Sequence, residues 1–130
     1  MRIKQRANLL GLCSVAIFLL ASIVSSSAES YSKLQSDGYK TSKLTHGASG
    51  SLGWIVSNGE KKFFCRMRAA HAYVGKTGMV AFTSSGRQIG LNRKVYEKYA
   101  GGFDQSAPQL SDLKAGRPNA RDVGNCSPAK

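Results

Sequence analysis

The sequence is poor in the residues from which most active sites are built. It has two histidines and three cysteines, and none of them falls into HExxH or CxxC spacing. No GxSxG is present either. The zinc-peptidase helix, the dithiol of the thiol–disulfide oxidoreductases and the nucleophile elbow of the serine hydrolases are therefore all missing. Acidic residues are also scarce: 7 Asp and Glu stand against 19 Lys and Arg, a formal net charge of +12. There is no internal repeat, no low-complexity tract beyond one Ser/Gly stretch, and no long apolar run after Val24. Gly47, Gly50 and Gly53 resemble a nucleotide loop in spacing. They run into the strand-like GWIV rather than a helix, so no helix N-terminus is offered to a phosphate and the dinucleotide fingerprint fails. His46 and His71 show no ligand spacing with the cysteines. No cofactor and no metal are expected.

The one long apolar run lies at the start. A cationic stub MRIKQR precedes an apolar stretch from Leu9 to Val24, and SSSA follows it. This is the layout of a secretory signal peptide, with Ser26 and Ala28 suited to the small-residue positions before a cut after Ala28. An uncleaved anchor fits less well, because about 16 apolar residues fall short of the roughly 20 that cross a bilayer as a helix. A lipoprotein reading on Cys13 also fits less well, since bulky Leu12 precedes it and most of the apolar run follows it. Residues 1–28 are therefore assigned to a signal peptide, with the chain exported to the periplasm or the extracellular space and carrying no transmembrane segment after cleavage. Removing 28 of 130 residues leaves 102, and losing Arg2, Lys4 and Arg6 leaves 16 cations against 7 anions, a net +9.

A chain of that length makes one small domain and buries a modest share of its surface, so a covalent staple helps it. Two cysteines remain, Cys65 and Cys126. In an oxidising compartment an isolated pair reads as a disulfide. Closing a loop of that span removes unfolded-state entropy equivalent to roughly 4 kcal/mol.

Residues 29–53 are polar and rich in Ser and Gly, and read as a flexible arm leading to a basic, disulfide-stapled domain over 54–130. Within that domain GWIV, the turn SNGE and KKFFCRMRAA form a hairpin signal, with Asn58 and Gly59 suited to the turn. The turn GKTG, the apolar MVAFT, the turn SSG and the short strand RQIGL continue it. The fold class expected is α+β, mainly β: an antiparallel meander of three to four strands. NRKVYEKYAGG adds one short helix, with Asn92 as cap, an Arg93–Glu97 pair and terminating glycines. From Gly102 onward the chain reads as a C-terminal loop tied by the disulfide, with one helical turn at QLSDLKAG.

Alternation in KKFFCRMRAA sends Phe63, Cys65, Met67 and Ala69 inward and Lys62, Phe64, Arg66 and Arg68 outward. The excess charge is concentrated here. Residues 61–98 hold nine cations and one anion, whereas 29–60 balance and 99–130 carry a net +1. Lys61, Lys62, Arg66 and Arg68, then Arg87, then Arg93, Lys94 and Lys98 form a candidate basic face. Phe64, Tyr96 and Tyr99 are its apolar contacts. The expected function is a non-enzymatic binding or accessory module for an anionic polysaccharide, lipopolysaccharide, anionic lipid or acidic protein. Nucleic acid is not the natural ligand expected of an exported chain. Two other readings remain. One is a structural or inhibitory protein using an apolar strand edge or the loop around Trp54. The other is a small hydrolase in which His71 is the base, oriented by His46, Asp104 or Asp112.

Overall fold

The computed structural model describes residues 29–129. The proposed signal peptide, Cys13 included, lies outside the described residues. The elements in chain order are α1 (Tyr31–Ser36), β1 (Lys40–Thr41), β2 (Thr45–His46), β3 (Leu52–Ser57), β4 (Lys62–Met67), β5 (His71–Val74), β6 (Gly78–Phe82) and β7 (Gln88–Gly90). They continue as α2 (Arg93–Ala100), α3 (Leu110–Lys114), a short 3-10 turn at Ala120–Asp122, and β8 (Val123–Pro128). All strand pairings are antiparallel and form two sheets. The first has the order β1-β3-β4-β8, with β2 also paired to β3. The second is β5-β6-β7.

The β3–β4 hairpin forms where the sequence signals it. The Asn58 side-chain oxygen accepts from the backbone N–H groups of Glu60 (2.9 Å) and Lys61 (2.7 Å), and Gly59 takes φ +94°. That arrangement satisfies the turn donors locally and sets the register Trp54↔Cys65, Ile55↔Phe64. The basic strand ends earlier than its alternation implies. At Arg68 the backbone N–H donates to the Asp122 carbonyl (2.7 Å), and the chain leaves the first sheet to start the second at His71. The expected single meander is thus divided between two sheets, with β5 absent from the sequence reading.

The core lies between the inner face of the first sheet and what covers it. Trp54, Val56, Cys65 and Cys126 are fully buried, packed with Leu34 and Tyr31 of α1, Leu110 and Leu113 of α3, and Ala72 of the second sheet. The Trp54 indole N–H donates to the Leu113 carbonyl (2.9 Å), so one side chain joins sheet and helix, and among the described residues no buried side-chain nitrogen or oxygen lacks a partner. Residues 29–53 are not a separate arm. Tyr31 and Leu34, three apart on one helix face, enter the core, and β1 and β2 pair with β3. Two apolar residues in a Ser-rich stretch carry too weak a periodicity to reveal this. The C-terminal segment contains the expected helical turn as α3, but its end is a strand. β8 pairs with β4 and places Cys126 directly opposite Cys65. Burial of Trp54 in β3 removes it as a docking loop.

The disulfide joins Cys65 and Cys126 across 61 residues of sequence. Replacing both cysteines by alanine should lower unfolding free energy by about 4 kcal/mol, of the order of a small domain's whole net stability. Urea unfolding at neutral pH measures it, and a loss under about 1 kcal/mol would show that β4–β8 pairing stands without the bond.

Candidate functional site

The outer face of the first sheet is built by strand alternation. Ile55 of β3 pairs with Phe64 of β4, which pairs with Ser127 of β8. Lys62 and Arg66 lie two residues to either side of Phe64 on the same face, both exposed. A register shift between Cys65 and Met67 brings Asn125 outward beside Arg66. The loop Gly47–Ser51 rises along the β2 side, braced by a Gly47 N–H bond to the Ser51 carbonyl (2.8 Å) and by the Ser49–Ser51 hydroxyl pair (3.1 Å). The result is a groove of about 820 Å³ with Phe64 and Ile55 beneath, His46, Ser49 and Arg66 at its rim, and Asn125 and Ser127 opposite.

Phe64 is seated by what its neighbours lack. A methyl group on Gly47 would stand 2.7 Å from the Phe64 ring, and one on Gly53 would stand 2.6 Å from its Cζ atom. Both distances are shorter than a Cβ contact tolerates without a shift, so the two glycines leave room for the ring where it stands, and Gly53 also lets the Cys65 backbone carbonyl approach closely. The GASGSLG stretch is therefore the seat and wall of a groove. Nothing in its composition alone points to that role, because the partner ring lies on another strand.

The eleven residues of the expected basic face do not form one surface. Lys62, Phe64 and Arg66 share the groove side of the first sheet, and Lys61 lies at its hairpin end. Arg68 lies beyond β4 and lines a small cavity of about 290 Å³ with His71, Asp104, Ser106 and Arg121. Arg87 is exposed at the β6–β7 turn. Lys94, Lys98 and Tyr99 face outward on α2. Arg93 and Tyr96 are engaged internally. The Arg93 guanidinium sits 4.2 Å from the Tyr73 ring centroid, bonds Glu97 at 2.8 Å and donates to the Lys76 carbonyl at 2.6 Å. The Tyr96 hydroxyl donates to Asp104 at 2.8 Å. The groove residues absent from the sequence-based face include His46, Ser49, Ile55, Asn125 and Ser127. Alternation in GWIV gives the parity of Ile55, whereas Asn125 and Ser127 stayed hidden in a segment read as loop.

His71 and Asp104 do line one cavity, and they are the strongest acid–base candidates. Asp104 accepts from the Ser106 hydroxyl (2.6 Å) and N–H (3.0 Å) and from Tyr96, and these bonds, Ser106 first, hold its carboxyl below the usual value. The same bond from Tyr96 to Asp104 raises the Tyr96 pKa. The His71 ring lies tilted against Tyr96 with centroids 5.0 Å apart. Among the described residues no hydrogen bond joins His71 to Asp104. His46 lies on β2 in the other sheet, and Asp112 bonds Arg117 (3.1 Å). Among the described residues, then, none of the three groups expected to orient His71 is hydrogen-bonded to it. Among the described residues there is also no group of three or more His, Cys, Asp or Glu suited to a metal, and no helix long and apolar enough to cross a membrane. No family model matches the chain, and no curated protein or solved structure matches it. The site's own geometry therefore carries the functional reading.

Two outcomes follow from this geometry. Gly53→Ala should press on the Cys65 backbone carbonyl across the β3–β4 pair as well as on the Phe64 ring and cost about 1–3 kcal/mol, seen as a lower urea midpoint and an altered near-UV aromatic signal. The depressed Asp104 pKa gives stability that is present above its ordinary value of 3.8 and lost as pH falls through the lower folded value. Asp104→Asn should therefore flatten the acid limb of a stability–pH curve. An unchanged limb would show that Tyr96 and Ser106 contribute nothing through this carboxylate.

Proposed function

We propose that the protein is an exported, non-enzymatic binding module that takes a segment of anionic polysaccharide in the groove on the outer face of its first sheet. The observation that carries this reading is the half-buried Phe64 ring seated beside two glycines in the groove, with the exposed Arg66 and Lys62 on either side of it. An aromatic ring presents a flat apolar surface to the C–H face of a sugar. The hydroxyls of Ser49 and Ser127 and the amide of Asn125 offer both donors and acceptors to sugar hydroxyls. The Arg66 guanidinium matches a carboxylate or sulfate in bidentate geometry, which a solvated lysine does not. A net charge concentrated in 61–98 raises the local concentration of such a polymer. The disulfide fits an oxidising compartment, in keeping with the signal-peptide layout of residues 1–28.

The test is binding of residues 29–130, which carry every core residue of the described fold, to polyuronate and sulfated polysaccharides at salt from about 10 mM to about 1 M. Affinity should fall with salt. Lys62→Glu with Arg66→Glu should abolish binding at low salt. Phe64→Leu, which keeps bulk but removes the ring, should weaken it about tenfold at every salt concentration, a loss of ~1.4 kcal/mol. Equal binding by the folded charge variant would return this face to the role of solvated charge.

A further inference from the structure

Helix α2, RKVYEKYA, is attached to the protein in an unusual way: none of its residues is buried. Its contacts with the body run through Arg93 against Tyr73 and Phe103, and Tyr96 against Asp104 and His71. Glu97, the helix's one carboxylate, is turned back onto Arg93. At about 100° per residue the opposite side carries two adjoining stripes, Lys94 with Lys98 and Val95 with Tyr99, each pair one turn apart. Val95 is 50% exposed and Tyr99 is 85% exposed. At the helix start, Lys76 and Lys94 line the same shallow depression, whose floor includes the Arg93–Glu97 ion pair. The outward surface of α2 is thus apolar and cationic at once and carries no anion of its own.

We propose that this face of α2 docks on an anionic lipid bilayer, with Val95 and Tyr99 entering the headgroup boundary and Lys76, Lys94 and Lys98 contacting lipid phosphates. The shape favours lipid over a protein partner. A stable protein interface needs about 800 Å² of complementary surface on each side, whereas here two apolar side chains project from one short convex helix. A bilayer accepts such a projection directly, and tyrosine sits well at the interface, with its ring among acyl chains and its hydroxyl among headgroups. The cations supply the selectivity, since lysines near the surface are attracted only where the lipids are negative. This surface is separate from the Phe64 groove, and neither depends on the other.

The experiment is co-sedimentation of residues 29–130 with phosphatidylcholine vesicles, with and without phosphatidylglycerol. Residues 1–28 are left out because their apolar run would bind lipid by itself. The protein should partition onto the phosphatidylglycerol vesicles alone. Lys94→Gln with Lys98→Gln should lower that partition about 30-fold. Val95→Ser with Tyr99→Ser should lower it further, and all four positions are exposed, so the fold is undisturbed. In a Tyr99→Trp variant the introduced indole should shift to the blue on binding, while Trp54, already fully buried, stays silent. Phe64→Leu should partition normally, which separates this surface from the groove. The proposal is overturned by equal partition onto neutral vesicles, by full partition of the serine variant, or by no partition at all. A dimer that shields the introduced indole without lipid also overturns it, in favour of a second copy of the chain.

Discussion

The fold depends on the covalent pairing of β4 with β8. Cys65 and Cys126 stand opposite each other in the register, both fully buried, one in the middle of the most basic strand and the other near the end of the chain. A small domain has little apolar surface to bury, and β8 must find its partner across 61 positions. The disulfide removes much of that search from the unfolded state. Once β8 is held, the register shift opposite Cys65–Met67 breaks its strict alternation and sets which residues face each side. Val123 and Cys126 enter the core, while Asn125 and Ser127 reach the outer face. The same constraint that completes the core completes one wall of the groove.

A strand with period two can serve two purposes without compromise, and β4 does so. Inward, Phe63, Cys65 and Met67 contact the core; outward, Lys62 and Arg66 are exposed on either side of the half-buried Phe64. A one-residue slip would exchange the two sets, burying two cations and exposing the cysteine. The core and the proposed groove therefore call for the same register. The outward side of this strand is also where a solubility argument alone fails. Lysine and arginine there keep sheets apart, but they do not account for a phenylalanine packed against two glycines at which any side chain would force a shift.

How much of this was legible in advance follows from where each signal resides. The β3–β4 hairpin, the inward cysteine, the Cys65–Cys126 bond and the capped helix at Asn92 rest on spacings within a few residues or on counting cysteines, and all were readable. The roles of residues 29–53 were not, because Tyr31 and Leu34 become core residues only through contacts with β8 and the sheet. The placement of Asn125 and Ser127 likewise comes from pairing with a strand some 60 positions away. Arg93 and Tyr96 looked like members of the basic aromatic face because sequence reports type and not direction. Tyr73, Phe103 and Asp104, which draw them inward, lie on other elements.

That inward engagement explains why α2 differs from an ordinary surface helix. Amphipathic helices are usually held by an apolar stripe facing the core. Here a stacked pair, Tyr73 and Phe103 with centroids 4.8 Å apart, receives a guanidinium instead, and a tyrosine–carboxylate bond fixes the next turn. Cation–π and charge-assisted contacts of this kind hold a helix with little apolar area. The helix's remaining apolar residues are then not needed for folding, and their outward position costs the protein exposure to water with no gain in stability. The groove and α2 thus share one logic. In each, the residues that secure the fold are distinct from those left at the surface, so charge or apolarity there can change without loss of the core.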